Sequence, residues 1–113
     1  MASRAEVEKQ LGALLARLDH NPDSVRAAIP ARKVLRCSIS DLDTSWYSVI
    51  EDGHVSPPSE TPPDDRTDIT LHLASDDLVD LIEGRLSFLS AFISGKVKVD
   101  ASIMDMLRLR ALL

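Results

Sequence analysis

Cysteine is almost absent from this sequence, which contains Cys37 and no other. A single cysteine cannot form an intramolecular disulfide, so the disulfide framework typical of small secreted domains is excluded. Cys37 falls within a segment of alternating apolar residues. We interpret it as a small buried side chain on a strand rather than as a reactive thiol.

A secretory leader and a membrane-spanning run are also missing. The first residues contain two glutamates and no apolar run, and no later stretch approaches the ~20 apolar residues that cross a bilayer. The chain ends in Arg-Ala-Leu-Leu, which differs from the peroxisomal Ser-Lys-Leu signal. We therefore expect a cytoplasmic protein without stable membrane insertion.

The sequence lacks the excess positive charge of a nucleic-acid-binding protein. It has 13 lysines and arginines against 18 aspartates and glutamates, and its formal net charge is −5 at pH 7. Such a chain repels phosphate backbones and anionic lipid head groups. Neither nucleic acid nor an anionic membrane surface is an expected partner.

Catalytic and metal-binding motifs are absent as well. No two histidines have the i, i+4 spacing of helical metal ligands, and no cysteine pair can complete a zinc site. There is no P-loop, dinucleotide fingerprint or nucleophile elbow. Carboxylates are numerous, but the sequence places none in the desolvated pocket that an acid–base pair needs. We expect no catalytic residue, no metal and no cofactor, and hence no enzyme. The residues considered are His20, His54, His72, Asp64, Asp65, Asp76, Asp77, Asp100 and Asp105.

What is present is the composition of one globular domain. The chain has 113 residues, of which 44% are apolar and 27% charged. A chain of this length buries roughly two thirds of its unfolded surface, enough for a core without disulfides or metal. We expect a single domain over residues 1–113.

Periodicity predicts five helices and about five strands. Alternating apolar residues predict strands at 33–40, 44–50 and 67–74, and short strands near His54–Val55 and Lys96–Val99. The pair Asp52–Gly53 predicts a hairpin, and 56–68, with four of the six prolines, predicts a solvated loop. Helices are predicted to start with caps at Ser3, Asn21, Ser75, Ser87 and Ser102. The last helix, 102–113, is apolar around most of its circumference, which predicts burial on more than one side or a covering role.

From Asp68 onward the order of these features resembles the sterol carrier protein 2 (SCP2-like) family. The resemblance is carried by Asp68-Ile69-Thr70-Leu71-His72-Leu73-Ala74-Ser75, by Asp76-Asp77-Leu78 with Gly84, and by Phe92-Ile93-Ser94-Gly95-Lys96-Val97-Lys98-Val99. The strand containing Trp46 and the Asp52–Gly53 turn also look like the family's sheet. One departure is Asp100-Ala101-Ser102, where the family usually has a Gly-Asp step. It puts in doubt the turn into the last helix and the pocket edge beside it.

The resemblance implies an α+β fold, with a mostly antiparallel sheet of about five strands covered by helices and enclosing an apolar tunnel. Family members carry sterols, fatty acids or acyl-CoA and need no cofactor. Without a peroxisomal ending, the chain resembles bacterial, cytosolic members. The residues predicted to contact the ligand are Trp46, Phe88, Leu89, Phe92, Ile93, Met104, Met106 and Leu107.

Three readings of the apolar residues remain open. The first is a carrier whose pocket is lipid-filled or partly collapsed, because an empty dry pocket of roughly 300 Å³ would cost about 7 kcal/mol, against ~5–15 kcal/mol for a whole domain. The segment Phe88–Ile93 and the last helix would be its moving walls. The second is a solidly packed SCP2-like interaction module that pairs with itself or a partner protein through an apolar helix face. The third, an acyl-handling enzyme, is disfavoured by the missing chemistry.

Overall fold

The structure, a computed structural model, describes residues 1–63 and 66–112. The elements follow one another as helices α1 and α2, strands β1 to β4, helices α3 and α4, strand β5 and helix α5. The helices are α1 Arg4–Asp19, α2 Pro22–Ala28, α3 Ser75–Ile82, α4 Phe88–Ile93 and α5 Ile103–Leu112. The strands are β1 Lys33–Ile39, β2 Thr44–Glu51, β3 His54–Val55, β4 Ile69–Leu73 and β5 Lys98–Asp100.

The five strands form one mixed sheet in the order β3-β2-β1-β4-β5. β1 pairs antiparallel with β2 and parallel with β4, while β2–β3 and β4–β5 are antiparallel. The predicted α+β fold with about five mostly antiparallel strands is confirmed. Within the described residues, no helix combines the length and hydropathy needed to cross a bilayer.

Strand alternation produces an inner sheet face covered by helices. The β1 residues Leu35, Cys37 and Ile39 lie level with Ile69, Leu71 and Leu73 of β4, and Cys37 also lies opposite Trp46 of β2. The core forms where the apolar stripe of α1, with α2 and α3, packs on this inner face. On the outer face, Val34 and Thr70 are buried too.

Most predicted helix starts and turns are found in the structure. Ser3, Ser87 and Ser102 each accept a hydrogen bond from the backbone N–H three residues on. Asp52 and Gly53 both have positive φ, as a tight two-residue hairpin turn requires.

The predicted cap of α3 is wrong, whereas Asn21 occupies the predicted N-cap position of α2 without the capping side-chain hydrogen bond. The cap of α3 is Ala74, because Ser75 lies within the helix and its N–H and hydroxyl both donate to Asp41. The Asn21 side chain does not cap α2, because it donates to the carbonyl of Arg17 instead.

Some predicted boundaries shift or lie outside the described residues. Strand β5 begins at Lys98 rather than Lys96, because the N–H groups of Lys96 and Val97 donate to the carbonyl of Ala91. The carboxylates Asp64 and Asp65 and the predicted helix end at Leu113 lie outside the residues that the structure describes.

Candidate functional site

An apolar cavity of about 450 Å³ lies between the helices and the inner face of the sheet. We call it the inner cavity. Its helical wall comprises Leu11, Leu14, Leu15, Leu18, Leu78, Leu81, Ile82 and Leu112, and its sheet wall Leu35, Cys37, Ile50, Leu71 and Leu73. The segments around α4 and α5 add Gly84, Leu86, Ser87, Phe88, Val97 and Leu109. Among the described residues, the Cys37 thiol is the one ionisable side chain in its lining.

The wall of the inner cavity follows from two periodicities. The leucines of α1 recur at intervals of three and four residues, which places them along one side of the helix. The strand residues alternate, so that one apolar set per strand faces those leucines. Both patterns are those of an ordinary core. The sequence therefore contains no signal that distinguishes a side chain filling the core from one lining a cavity.

A second cavity of about 340 Å³ lies between α4, α5 and β5. We call it the outer cavity. It is lined by Phe88, Leu89, Phe92, Val99, Met106, Leu107, Leu109 and Arg110. Because Phe88 and Leu109 line both cavities, they lie between them. The ring of Phe88 stacks on that of Phe92 one helical turn away, with centroids 6.5 Å apart.

The eight residues predicted to contact a ligand fall into three groups. Five of them come together around the outer cavity, namely Phe88, Leu89, Phe92, Met106 and Leu107. Ile93 and Met104 line neither cavity and are 75% and 56% exposed. Trp46 lines neither cavity and is buried in the core. The inner-cavity residues of α1, α3 and the sheet are absent from the predicted ligand contacts.

Helix α5 is not buried on several sides. Asp105 and Leu109 are its buried residues, while Ile103, Met104 and Leu107 are exposed. Leu89, Phe92 and Ile93 of α4 are exposed as well. We call these six residues the exposed apolar set. Of the two alternatives predicted for the last helix, the structure therefore leaves a covering role, at the outer cavity.

A buried ion cluster holds α5 against the sheet. The Asp105 carboxylate lies 3.3 Å from Lys33 Nζ and 3.0 Å from Arg108 Nη1. The backbone N–H of Asp105 donates a hydrogen bond to Ser102 Oγ. Burial alone would raise the pKa of Asp105, but the hydrogen bonds from Arg108 and Lys33 hold it below its usual value. The burial of Asp105 was not predicted from the sequence, and Asp105 lines neither cavity. Sequence spacing indicates the partner Arg108, three residues after Asp105, but it gives no indication of Lys33, which is distant along the chain.

Within the described residues, neither Cys37 nor His54 belongs to a group that could hold a metal ion. Burial raises the pKa of the Cys37 thiol to about 12, which suppresses its nucleophilic form. Among residues 1–63 and 66–112, no group of three or more His, Cys, Asp or Glu side chains could hold a metal ion. His54 lies beside Asp19, with 3.5 Å between Nδ1 and Oδ1, and Asp19 also accepts a hydrogen bond from the N–H of Val55.

Known structures share this fold. A "UbiJ-SCP2 Ubiquinone synthesis protein" superposes with a TM-score of 0.71 at 23% identity, over 96% of this chain and 94% of that one. A sterol carrier protein domain of Helicoverpa armigera gives 0.59 at 19% identity, over 91% and 84%. The sec-alkylsulfatase Pisa1 from Pseudomonas sp. gives 0.68 at 16% identity, where 89% of this chain matches only 15% of that enzyme.

The family is shown by sequence. No curated protein sequence matches the chain significantly. However, the profile of the SCP-2 sterol transfer family matches residues 8–113, nearly the whole chain. The predicted resemblance is confirmed, and the chain belongs to the SCP-2 sterol transfer family.

Proposed function

We propose that residues 1–113 act as one lipid-binding domain that holds a single sterol, fatty acid or acyl chain in the inner cavity, as a carrier without catalysis. The observation that carries this proposal is a cavity of about 450 Å³ lined mainly by apolar side chains. Ligand pockets for small molecules fall at roughly 300–1,000 Å³ and are lined mainly by apolar side chains. Its proposed place of action is the cytoplasm.

The energetics of an empty cavity support an occupant. At about 24 cal/mol per Å³, a dry cavity of this volume would cost about 11 kcal/mol, similar to the ~5–15 kcal/mol stability of a whole domain. Neither cavity is fully enclosed, so this figure is an upper bound. An apolar chain in the cavity would restore the dispersion contacts that the wall lacks.

The access route would be the outer cavity. Phe88 and Leu109 stand between the two cavities, and Phe88 belongs to a helix of only six residues. A change of rotamer at Phe88 would join the cavities into the predicted tunnel. Leu89, Phe92, Met106 and Leu107 would then contact the ligand near its mouth, and methionine adapts to ligands of different shape. Trp46 would support the sheet without touching the ligand.

The test is to identify and then restore the ligand. Lipid extracted from the purified protein is analysed by mass spectrometry, and the delipidated protein is melted with and without a long-chain fatty acid. A ligand that binds only the native state at 100 times its Kd stabilises it by about 2.7 kcal/mol, on the order of 10 °C in Tm. Absence of both a bound lipid and any rise in Tm with fatty acids and sterols would refute the proposal.

The exposed apolar set favours one alternative, an interaction module that pairs with a second copy or another protein. Ile93 and Ile103 are 75% and 77% exposed and line neither cavity. Native mass spectrometry separates the two functions. A dimer that becomes a monomer in the Ile93→Lys variant, with no lipid mass on either form, would favour the module.

A further inference from the structure

Of the side chains found to line either cavity, one is charged at neutral pH, namely that of Arg110 in the outer cavity. It lies in the last turn of α5, at the wall of the outer cavity. Its guanidinium makes no ion pair or hydrogen bond with any residue that the structure describes. Its neighbour Arg108, in contrast, is engaged by Asp105. Arg110 is therefore a cation beside an apolar cavity, and no described residue supplies it with an anion.

Within the described residues, α4, α5 and β5 supply no unpaired carboxylate that lines the outer cavity. Helix α4 contains no ionisable residue. On α5, Asp105 is buried and already paired with Lys33 and Arg108. On β5, Asp100 alternates with Val99, and Val99 is the residue of that strand that faces the outer cavity. The mouth of the cavity is thus locally positive in a chain whose net charge is −5.

We propose that Arg110 binds the anionic head group of a single-chain amphiphile, a carboxylate or a phosphate monoester, at the outer cavity while the apolar chain passes Phe88 into the inner cavity. This inference rests on the proposed lipid-binding function and deepens it. A guanidinium presents a planar set of donors that fits both head groups in a bidentate arrangement.

The orientation follows from the difference between the two walls. The inner cavity offers an anion no charged partner, and its polar lining is limited to the Cys37 thiol, Ser87 and backbone groups. Burying an unpaired charge there is strongly unfavourable. The outer cavity offers Arg110 and contact with water. Head outward and chain inward is therefore the arrangement in which each part of the ligand meets matching chemistry.

The experiment compares ligands that share a chain and differ in head group. Binding of hexadecanoic acid, hexadecyl phosphate and hexadecanol to delipidated protein is measured by calorimetry above pH 7, for the wild type, Arg110→Gln and Arg17→Gln. Arg17 is the matched control, because it is also exposed near the end of a helix and lines neither cavity.

Arg110→Gln should weaken both anionic ligands about 3- to 10-fold and leave hexadecanol unchanged, as expected for a charge-assisted contact at a partly exposed site. Arg17→Gln should change none of the three affinities by more than about 2-fold. In the wild type, the affinity for the acid should fall as salt is raised from about 0.05 to 0.5 M, and that for the alcohol should not. Inorganic phosphate should not displace the bound acid.

Three results would overturn the assignment of Arg110. The two variants could weaken the acid equally, Arg110→Gln could weaken the alcohol as much as the acid, or inorganic phosphate could displace the acid. In each case the lipid-binding function would stand, because the wild type still binds chains. If the wild type bound none of the three ligands, the proposed function would fail together with the role of Arg110.

Discussion

At the scale of single residues, Cys37 reports on the inner cavity. It lies on β1, is 3% exposed and lines the cavity wall. Because burial raises the pKa of its thiol to about 12, the thiol is almost fully protonated at pH 8. Its reactivity in the native protein is therefore set by how often the cavity opens and by what fills it.

We predict that Cys37 is alkylated slowly in the native protein. N-ethylmaleimide at pH 8 should modify it at least about ten times more slowly than in guanidinium, and a bound fatty acid should slow the reaction further. Intact-mass spectrometry measures the rate directly, since the chain has no other cysteine. A native rate equal to the unfolded one, and unaffected by lipid, would mean that Cys37 is not enclosed.

At the scale of the elements, α5 is the wall that the two cavities share. It is held to β1 by the ion pair of Asp105 with Lys33, and it also packs against α2. The carboxylate of Asp105 is 7% exposed and the Lys33 side chain 15%. Removing the negative charge would leave a nearly buried ammonium without a partner, which is more costly than losing an exposed ion pair.

We predict that Asp105→Asn lowers the free energy of unfolding by about 2–4 kcal/mol. The matched control is Asp100→Asn, an exposed carboxylate on the preceding strand, which should change it by less than about 0.5 kcal/mol. Urea unfolding at pH 7 measures both. Equal effects of the two substitutions would show that the Asp105 cluster does not hold the helix.

The Asp105 cluster also predicts the sign of a pH dependence. Since the pKa of Asp105 is lowered in the folded protein, its stabilisation is complete above the ordinary value of 3.8 and is lost as the pH falls through the folded-state pKa. The difference in unfolding free energy between wild type and Asp105→Asn should therefore shrink between about pH 5 and pH 2. A difference that grows on acidification would contradict this assignment.

The start of α3 depends on a second carboxylate. Asp41 accepts hydrogen bonds from the hydroxyl and the N–H of Ser75. Both bonds lower the pKa of Asp41, and the bond from the hydroxyl has the larger effect. We predict that Asp41→Asn lowers the unfolding free energy by about 1 kcal/mol, because Ser75 is fully buried and loses part of its acceptor. The control is Asp43→Asn in the same turn. Asparagine also tolerates the positive φ of this position, so the unfolding free energy should hardly change. Thermal melts of both variants decide this.

At the scale of the whole molecule, filling the inner cavity should raise the stability of the ligand-free protein and weaken ligand binding. Leu71 lies on the inner sheet face and lines the inner cavity, whereas Ile39 lies on the same face and lines neither cavity. We predict that Leu71→Phe stabilises the ligand-free protein by about 1 kcal/mol and reduces the rise in Tm with fatty acid. The control Ile39→Phe should destabilise it by about 1–3 kcal/mol through overpacking. Destabilisation by both would indicate a core with no usable space.

Much of the fold follows from short-range patterns. The alternation around Cys37 and Leu71, the Asp52–Gly53 turn and the caps at Ser3 and Ser87 each depend on residues within a few positions of one another. The Ser75 prediction failed because a distant carboxylate, Asp41, competes for its hydroxyl. The candidate site was predicted only at its outer end, because α4 and α5 carry unusually many large apolar residues, while the leucines of α1 resemble any core stripe.

The sequence by itself determined the α+β element order, the family and the apolar character of α4 and α5, because periodicity, turn chemistry and composition act locally. Tertiary structure alone decided that Trp46 fills the core, that Lys33 reaches Asp105, and that space remains between α1 and the sheet. A cavity is a deficit of contacts summed over many distant residues. Identical leucines close it or leave it open according to the distance at which the helices pack.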